Sequence, residues 1–215
     1  MMPLLAEGDA ISRLVALALL LMSVASWVVI LWKSGLVWQA KRSFRRSVAA
    51  FWQASHLQEA EERLQAFDQA QLLLPLVRAA SSQAPATLAG QGDPRQQLTR
   101  LLRDALHGVL LRLQYGQILL ASVGSTAPFV GLLGTVWGIY HALSGLGGGG
   151  QISLEQISGP VGEALIMTAA GLAVAIPAVL AYNALGRHIQ QLEAELEGFA
   201  HDLRELVLST APVRP

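Results

Sequence analysis

An all-α membrane protein with three spans is the fold class this chain predicts, and three observations predict it. Of its 215 residues, 53% are hydrophobic and only 14% charged. Three apolar runs reach the roughly 20 residues a helix needs, at about 1.5 Å each, to cross hydrocarbon. The remaining long segments repeat their apolar residues at helical spacing. The 15 basic and 15 acidic side chains cancel, so no bulk field favours a nucleic-acid partner, and none is expected. The absence of Cys excludes a disulfide framework and thiolate metal sites.

Residues 1–13 form a short N-terminal segment, and the first span is 14–32, uncharged and closed by Trp32, a residue suited to the interface. A cleaved signal peptide is disfavoured: Glu7 and Asp9 stand where a basic n-region belongs, and the apolar run is too long for a typical h-region. Residues 33–116 form a polar helical region. Within it Ser55 and Gln58 suit a capping box, and Leu57, Ala60, Leu64 and Phe67 repeat at helical spacing until Pro75. The stretch from Ser81 to Pro94 is rich in Ser, Gln, Ala, Gly and Pro and predicts a linker. Beyond it Leu98, Leu101, Leu102, Ala105, Val109 and Leu113 make one apolar face, which predicts a single long helix running into the second span, 117–143.

Residues 144–159 are a Gly-rich loop in which Gly147 to Gly150 make a flexible turn. They lack the Lys-Ser/Thr of a phosphate-binding loop. The third span, 160–183, continues into a C-terminal helix and tail, 184–215. There Leu185, Ile189, Leu192, Leu196, Phe199, Leu203 and Leu206 recur at alternating four-three spacing, a coiled-coil seam. Such a seam identifies a helical partner without saying whose it is, so packing only on the helix before span two of the same chain and packing between copies are both open.

Basic residues set the orientation. Arg13 alone precedes the first span, eleven lie between spans one and two, none between two and three, and Arg187, Arg204 and Arg214 follow. The cluster from Lys33 to Arg46 beside the first span places that side in the cytoplasm. Lys41, Arg42, Arg45 and Arg46 are candidate contacts for anionic lipid heads.

Small residues predict which spans pack closely. Gly134 and Gly138 form a small-xxx-small pair in span two, and Gly162, Gly171 and several Ala thin span three, so both are expected to be interior helices. Pro128 and Pro177 each remove a backbone hydrogen bond; a kink and the ordinary tolerance of Pro in membrane helices are both open. The five His are scattered without metal spacing, and no metal or cofactor is expected. No Gly-x-Ser-x-Gly elbow or His-Glu-x-x-His is present, so an enzyme is not expected.

The chemistry centres on Glu163, a carboxylate inside the third apolar run. Holding such a charge in a membrane helix costs about 2.5 to 3.5 kcal/mol on insertion scales, which makes a merely idle one rare. Thr168 follows it on span three and Thr135 answers on span two. Hydroxyls donate and accept hydrogen bonds without becoming charged, so a carboxylate and two hydroxyls are parts suited to a proton path. The alternative for each Thr is a bond back to its own helix carbonyl; for Glu163 it is a packing contact.

The block from Ser125 to Tyr140 (STAPFVGLLGTVWGIY) and the block from Gly162 to Asn183 (GEALIMTAAGLAVAIPAVLAYN) resemble the proton-channel family of ExbB, TolQ and MotA, most closely its ExbB branch. With the order of three spans and one large polar segment, the resemblance covers most of the chain; the fourth span of MotA has no counterpart. It implies a multi-pass protein of the bacterial inner membrane, N-terminus periplasmic and C-terminus cytoplasmic. It also implies a homopentamer in which spans two and three line a central pore holding a dimer of ExbD, each with an essential Asp. TonB is the further partner, and the proton motive force drives import of siderophores and similar cargo. The resemblance assigns the proton path to Glu163, Thr135 and Thr168. A TolQ-like role in the Tol-Pal system and a non-conducting scaffold are the alternatives.

Overall fold

The computed structural model describes residues 9–82, 93–144 and 154–210, with backbone alone at 154–157 and 210. The described residues form six α-helices and no strand: α1 Ala10–Trp52, α2 Leu57–Phe67, α3 Leu74–Ser81, α4 Pro94–Gln114, α5 Gln117–Ser144 and α6 Leu154–Thr210. Most of the linker expected between Ser81 and Pro94, and the Gly147–Gly150 turn, lie outside the described residues. Three helices, α1, α5 and α6, are long and apolar enough to cross a membrane.

Two compact units emerge. The first takes residues up to Trp32 and Gly116–Ala184; the second takes Lys33–Tyr115 and the rest of the chain. Helices α1 and α6 pass from one to the other without interruption, and α6 runs for 57 residues through Pro160 and Pro177.

The helix expected to run unbroken into the second span is two helices. α4 ends at Gln114, Gly116 adopts φ +87°, and α5 starts at Gln117. That backbone conformation is free of steric cost for Gly and strained for other residues, so a single glycine outweighs the continuous apolar face on which the expectation rested.

In the second unit, the seam residues Leu185, Ile189, Leu192, Leu196, Phe199 and Leu203 are all buried. Phe199 meets Phe51 edge-to-face at 4.9 Å. The seam is therefore covered by its own chain, and at Phe199 the cover is α1 rather than the helix before span two alone. Leu64, Leu73, Leu76, Val77, Leu102 and Val109 complete the core.

Local polar anchors fix the turns. Asp68, 3% exposed, accepts the backbone N–H groups of Leu72, Leu73 and Leu74 at 3.0, 2.7 and 2.8 Å, satisfying donors at the start of α3. Lys33 is buried and donates Nζ to the Arg112 carbonyl at 3.1 Å, a cation at the C-terminal end of α4. The capping box expected from Ser55 and Gln58 is displaced by one residue. His56 is the N-cap without a side-chain cap, and Glu59 reaches back to the Ser55 N–H at 2.8 Å. Glu is the better reach-back residue because its carboxylate also takes Arg63, at 2.7 Å.

Candidate functional site

In the first unit, α5 and α6 run antiparallel along a seam of small residues. A Cβ built on Gly124 would fall 2.5 Å from Val179 Cγ2; on Gly131, 2.6 Å from the Met167 carbonyl; on Gly134, 3.1 Å from Met167 Cβ; on Gly138, 2.8 Å from Ala164 Cβ. From the other helix, a Cβ on Gly171 would fall 2.6 Å from the Ala127 carbonyl and 3.0 Å from Gly131 Cα. Paired residue numbers sum to nearly the same value throughout, as an antiparallel register requires. At Gly131 and Gly171 the contacts below about 3 Å are to facing backbone and leave room for hydrogen only, so these two positions let the helix axes approach closely.

Not every small residue serves that contact. Gly162, expected to pack, would carry a Cβ with nothing within 4 Å. Gly131 and Gly124 were not expected and make two of the tightest approaches. The signal for them was present: Gly124, Ala127, Gly131, Gly134 and Gly138 recur at three-four-three-four spacing, the same repeat that marks a heptad seam in larger residues.

Thr135 and Thr168 lie together on this seam. Thr135 is 7% exposed, and its Oγ1 lies 3.2 Å from the Gly131 carbonyl of its own helix, 2.9 Å from the Ala164 carbonyl of α6, and in a short hydrogen bond with Thr168 Oγ1. The back-bonding weighed for Thr135 from the sequence thus occurs, and two cross-helix contacts that were not expected share the same oxygen. A hydroxyl has one hydrogen and two lone pairs, so its donation is shared among these acceptors.

Glu163 does not join the pair. It immediately precedes Ala164, whose carbonyl faces Thr135, but its own side chain is exposed on the surface of the chain. Its neighbours Leu165 and Ile166 are exposed as well, at 57% and 52%. A carboxylate among exposed aliphatic groups, three residues inside the expected third span, faces lipid, interfacial water or another chain, and of these lipid alone offers no polar partner.

One contact was not anticipated. Asp9 accepts the Trp137 indole N–H at 2.9 Å through Oδ2 and the Ala10 N–H at 2.7 Å through Oδ1, joining the start of α1 to the second-span block. The Trp137 hydrogen bond, then that of Ala10, holds the Asp9 carboxyl below the usual range, with smaller attractions from His141 and Arg13. His141 itself is exposed near the end of α5.

The four candidate lipid contacts, Lys41, Arg42, Arg45 and Arg46, are all exposed on α1, and Arg42 lies over the Trp38 ring at 5.5 Å. Among the described residues no three His, Asp or Glu side chains converge to hold a metal.

Comparison with known proteins follows the same residues. The MotA/TolQ/ExbB proton channel family matches residues 68–198, which include Thr135, Glu163 and Thr168. The biopolymer transport protein ExbB of Neisseria meningitidis is 38% identical over 94% of this chain and 94% of its own length. That of Xanthomonas campestris is 41% identical over 96% of this chain and 86% of its own. The Tol-Pal system protein TolQ of Haemophilus influenzae is 28% identical over 94% and 90%. A match over more than half the chain, together with these identities and three membrane-length helices, establishes that this chain is a membrane protein of the MotA/TolQ/ExbB proton channel family.

Proposed function

We propose that this chain is an inner-membrane subunit that conducts protons and, with ExbD and TonB, uses the proton motive force to energise outer-membrane import of siderophores and similar cargo. Five copies surround a central pore holding an ExbD dimer, with the N-terminus periplasmic and the basic face of α1 cytoplasmic. The observation that carries this reading is Glu163, a carboxylate exposed on an apolar helix next to the backbone carbonyl that meets Thr135. The relatives that bear the name biopolymer transport protein ExbB support the transport role.

In this reading Glu163 takes up and releases the proton. Thr135 and Thr168 supply uncharged donors and acceptors beside it, and the partner's Asp moves between copies as its charge is lost and regained. A proton crossing releases about 2.3 kcal/mol per 100 mV and about 1.4 kcal/mol per pH unit, more than the roughly 1 kcal/mol of an ordinary net hydrogen bond. One crossing is thus enough to break a single polar contact between the inner dimer and the ring.

The test is ferric-siderophore uptake in cells lacking the native protein, supplied with this chain or its Glu163→Gln form at matched levels of assembled complex. The parent chain restores uptake and the variant assembles without restoring it. Uptake by both would move the proton path away from Glu163 and favour a scaffold. The TolQ relatives favour one further reading: failure of the parent in uptake, with rescue of envelope integrity in cells lacking TolQ, would assign the chain to the Tol-Pal system.

A further inference from the structure

In the second unit, α4 and the end of α6 flank an open cavity of about 570 Å³ whose wall carries four guanidinium groups, those of the exposed Arg95, Arg100 and Arg103 and of the half-buried Arg204. Among the described residues Glu205 is the one carboxylate on that wall, so their formal charge is four minus one, or +3. Glu205 is already held by Arg204 at 2.8 Å. No carboxylate of the described residues lies within ion-pair distance of Arg95, Arg100 or Arg103. The Arg204 Nε is buried and has no hydrogen-bond partner among the described residues.

This arrangement is unfavourable as it stands. Arg100 and Arg103 are three residues apart on one helix, and like charges at such spacing destabilise it. A buried guanidinium N–H without an acceptor carries an uncompensated desolvation cost. Of the remaining polar groups, Thr99 donates its hydroxyl to the Arg95 carbonyl at 2.8 Å and Ser209 to the Leu206 carbonyl at 2.8 Å, which leaves the guanidinium forks and the Gln96 amide as the donors the cavity offers.

We infer that this cavity is a binding site for a small anion bearing more than one phosphate charge. Guanidinium forks match phosphate oxygens two at a time, and several forks converging on one space suit a ligand with several such oxygens. The volume falls in the range of small-ligand sites, roughly 300–1,000 Å³. Among the described residues Leu208 is the only large apolar side chain on the wall and no aromatic ring lines it, so none of them selects for a nucleobase. The same chemistry belongs to a free pyrophosphate or polyphosphate and to an acidic lipid headgroup. The site is separate from Glu163 and the Thr pair, and it does not depend on the transport role proposed above.

The experiment measures binding of radiolabelled inorganic pyrophosphate by equilibrium dialysis to the full assembled protein in phosphatidylcholine nanodiscs. The expected result is saturable binding of one pyrophosphate per chain, weakened at least tenfold in Arg100→Ser/Arg103→Ser and unchanged in Arg187→Ser, an exposed arginine outside the cavity. Arg103→Lys separates fork from charge: a loss shared with Arg103→Ser assigns the binding to bidentate contact. Repeating the measurement in nanodiscs containing phosphatidylglycerol identifies the source. Competition there assigns the site to headgroups, and undiminished binding assigns it to soluble phosphates. Absence of saturable binding in phosphatidylcholine, or binding that Arg100→Ser/Arg103→Ser leaves intact while circular dichroism shows the fold retained, overturns the inference.

Discussion

Replacing Gly171 by Ala tests the close approach of α5 and α6 most directly. The new Cβ would sit 2.6 Å from the Ala127 carbonyl oxygen, about 0.9 Å short of the roughly 3.5 Å at which such atoms are comfortable. Both obstructing groups are backbone, so no rotamer change relieves the clash and the helices must separate. Overpacking of this kind costs about 1–3 kcal/mol. Separation also lengthens the Thr135–Thr168 and Thr135–Ala164 bonds one turn away, cross-helix bonds worth on average about 0.6 kcal/mol in a membrane protein. Against this stands the better helix propensity of Ala, up to about 1 kcal/mol. Gly162→Ala gains the same propensity with nothing within 4 Å to obstruct it, so comparing the two variants cancels that gain. The difference expected is about 1.5–3.5 kcal/mol, read from reversible unfolding of the detergent-solubilised chain followed by far-UV circular dichroism. Agreement of the two variants within about 0.5 kcal/mol would refute the packing argument, since that is the scatter of independent sites.

Other perturbations have equally definite expectations. Leu196→Ala removes a fully buried seam residue and is expected to cost about 2–5 kcal/mol at protein concentrations where the chain is monomeric; a cost that appears only on assembly would place the seam between copies. Asp68→Ala strands three buried N–H groups, and a loss of at least about 2 kcal/mol is expected. Hydrogen exchange at Leu72 to Leu74 should then be at least about 30-fold faster, given tenfold per 1.4 kcal/mol. The Asp9 carboxyl is held below its ordinary value when folded, so its bond to Trp137 is fully present above the unfolded carboxylate pKa and is lost as pH falls through the lowered folded value. The Trp137 indole resonance should report that acid step, and Asp9→Asn should remove it.

Much of this architecture was legible in the sequence because it depends on patterns the chain repeats. Membrane-length runs and the four-three seam after Tyr182 each involve many residues that agree, so single exceptions matter little. The break at Gly116 depends on one backbone dihedral, and one glycine among the chain's twenty carries no mark that separates it from a helical one. Gly162 and Gly171 likewise look alike in sequence. What distinguishes them is the facing helix, and the antiparallel register that brings Ala127 against Gly171 arises only in three dimensions. The contact of Asp9 with Trp137 spans 128 positions and follows no local rule. For the site, residue types identified Thr135, Thr168 and Glu163, while their separation into a buried pair and an exposed carboxylate required the helix faces to be known.

The two threonine hydroxyls carry only two hydrogens, and Thr135 Oγ1 alone has three oxygens within reach. Their hydrogens therefore have more than one satisfactory arrangement: Thr135 donates to either carbonyl while Thr168 donates to it. Passing from one arrangement to the other takes rotation about one C–O bond and leaves every heavy atom in place. The local dipole can turn while the helices stay rigid. A charge arriving or leaving nearby is then answered by the turning of hydrogens, which keeps the polarisation of this tightly packed seam independent of its shape.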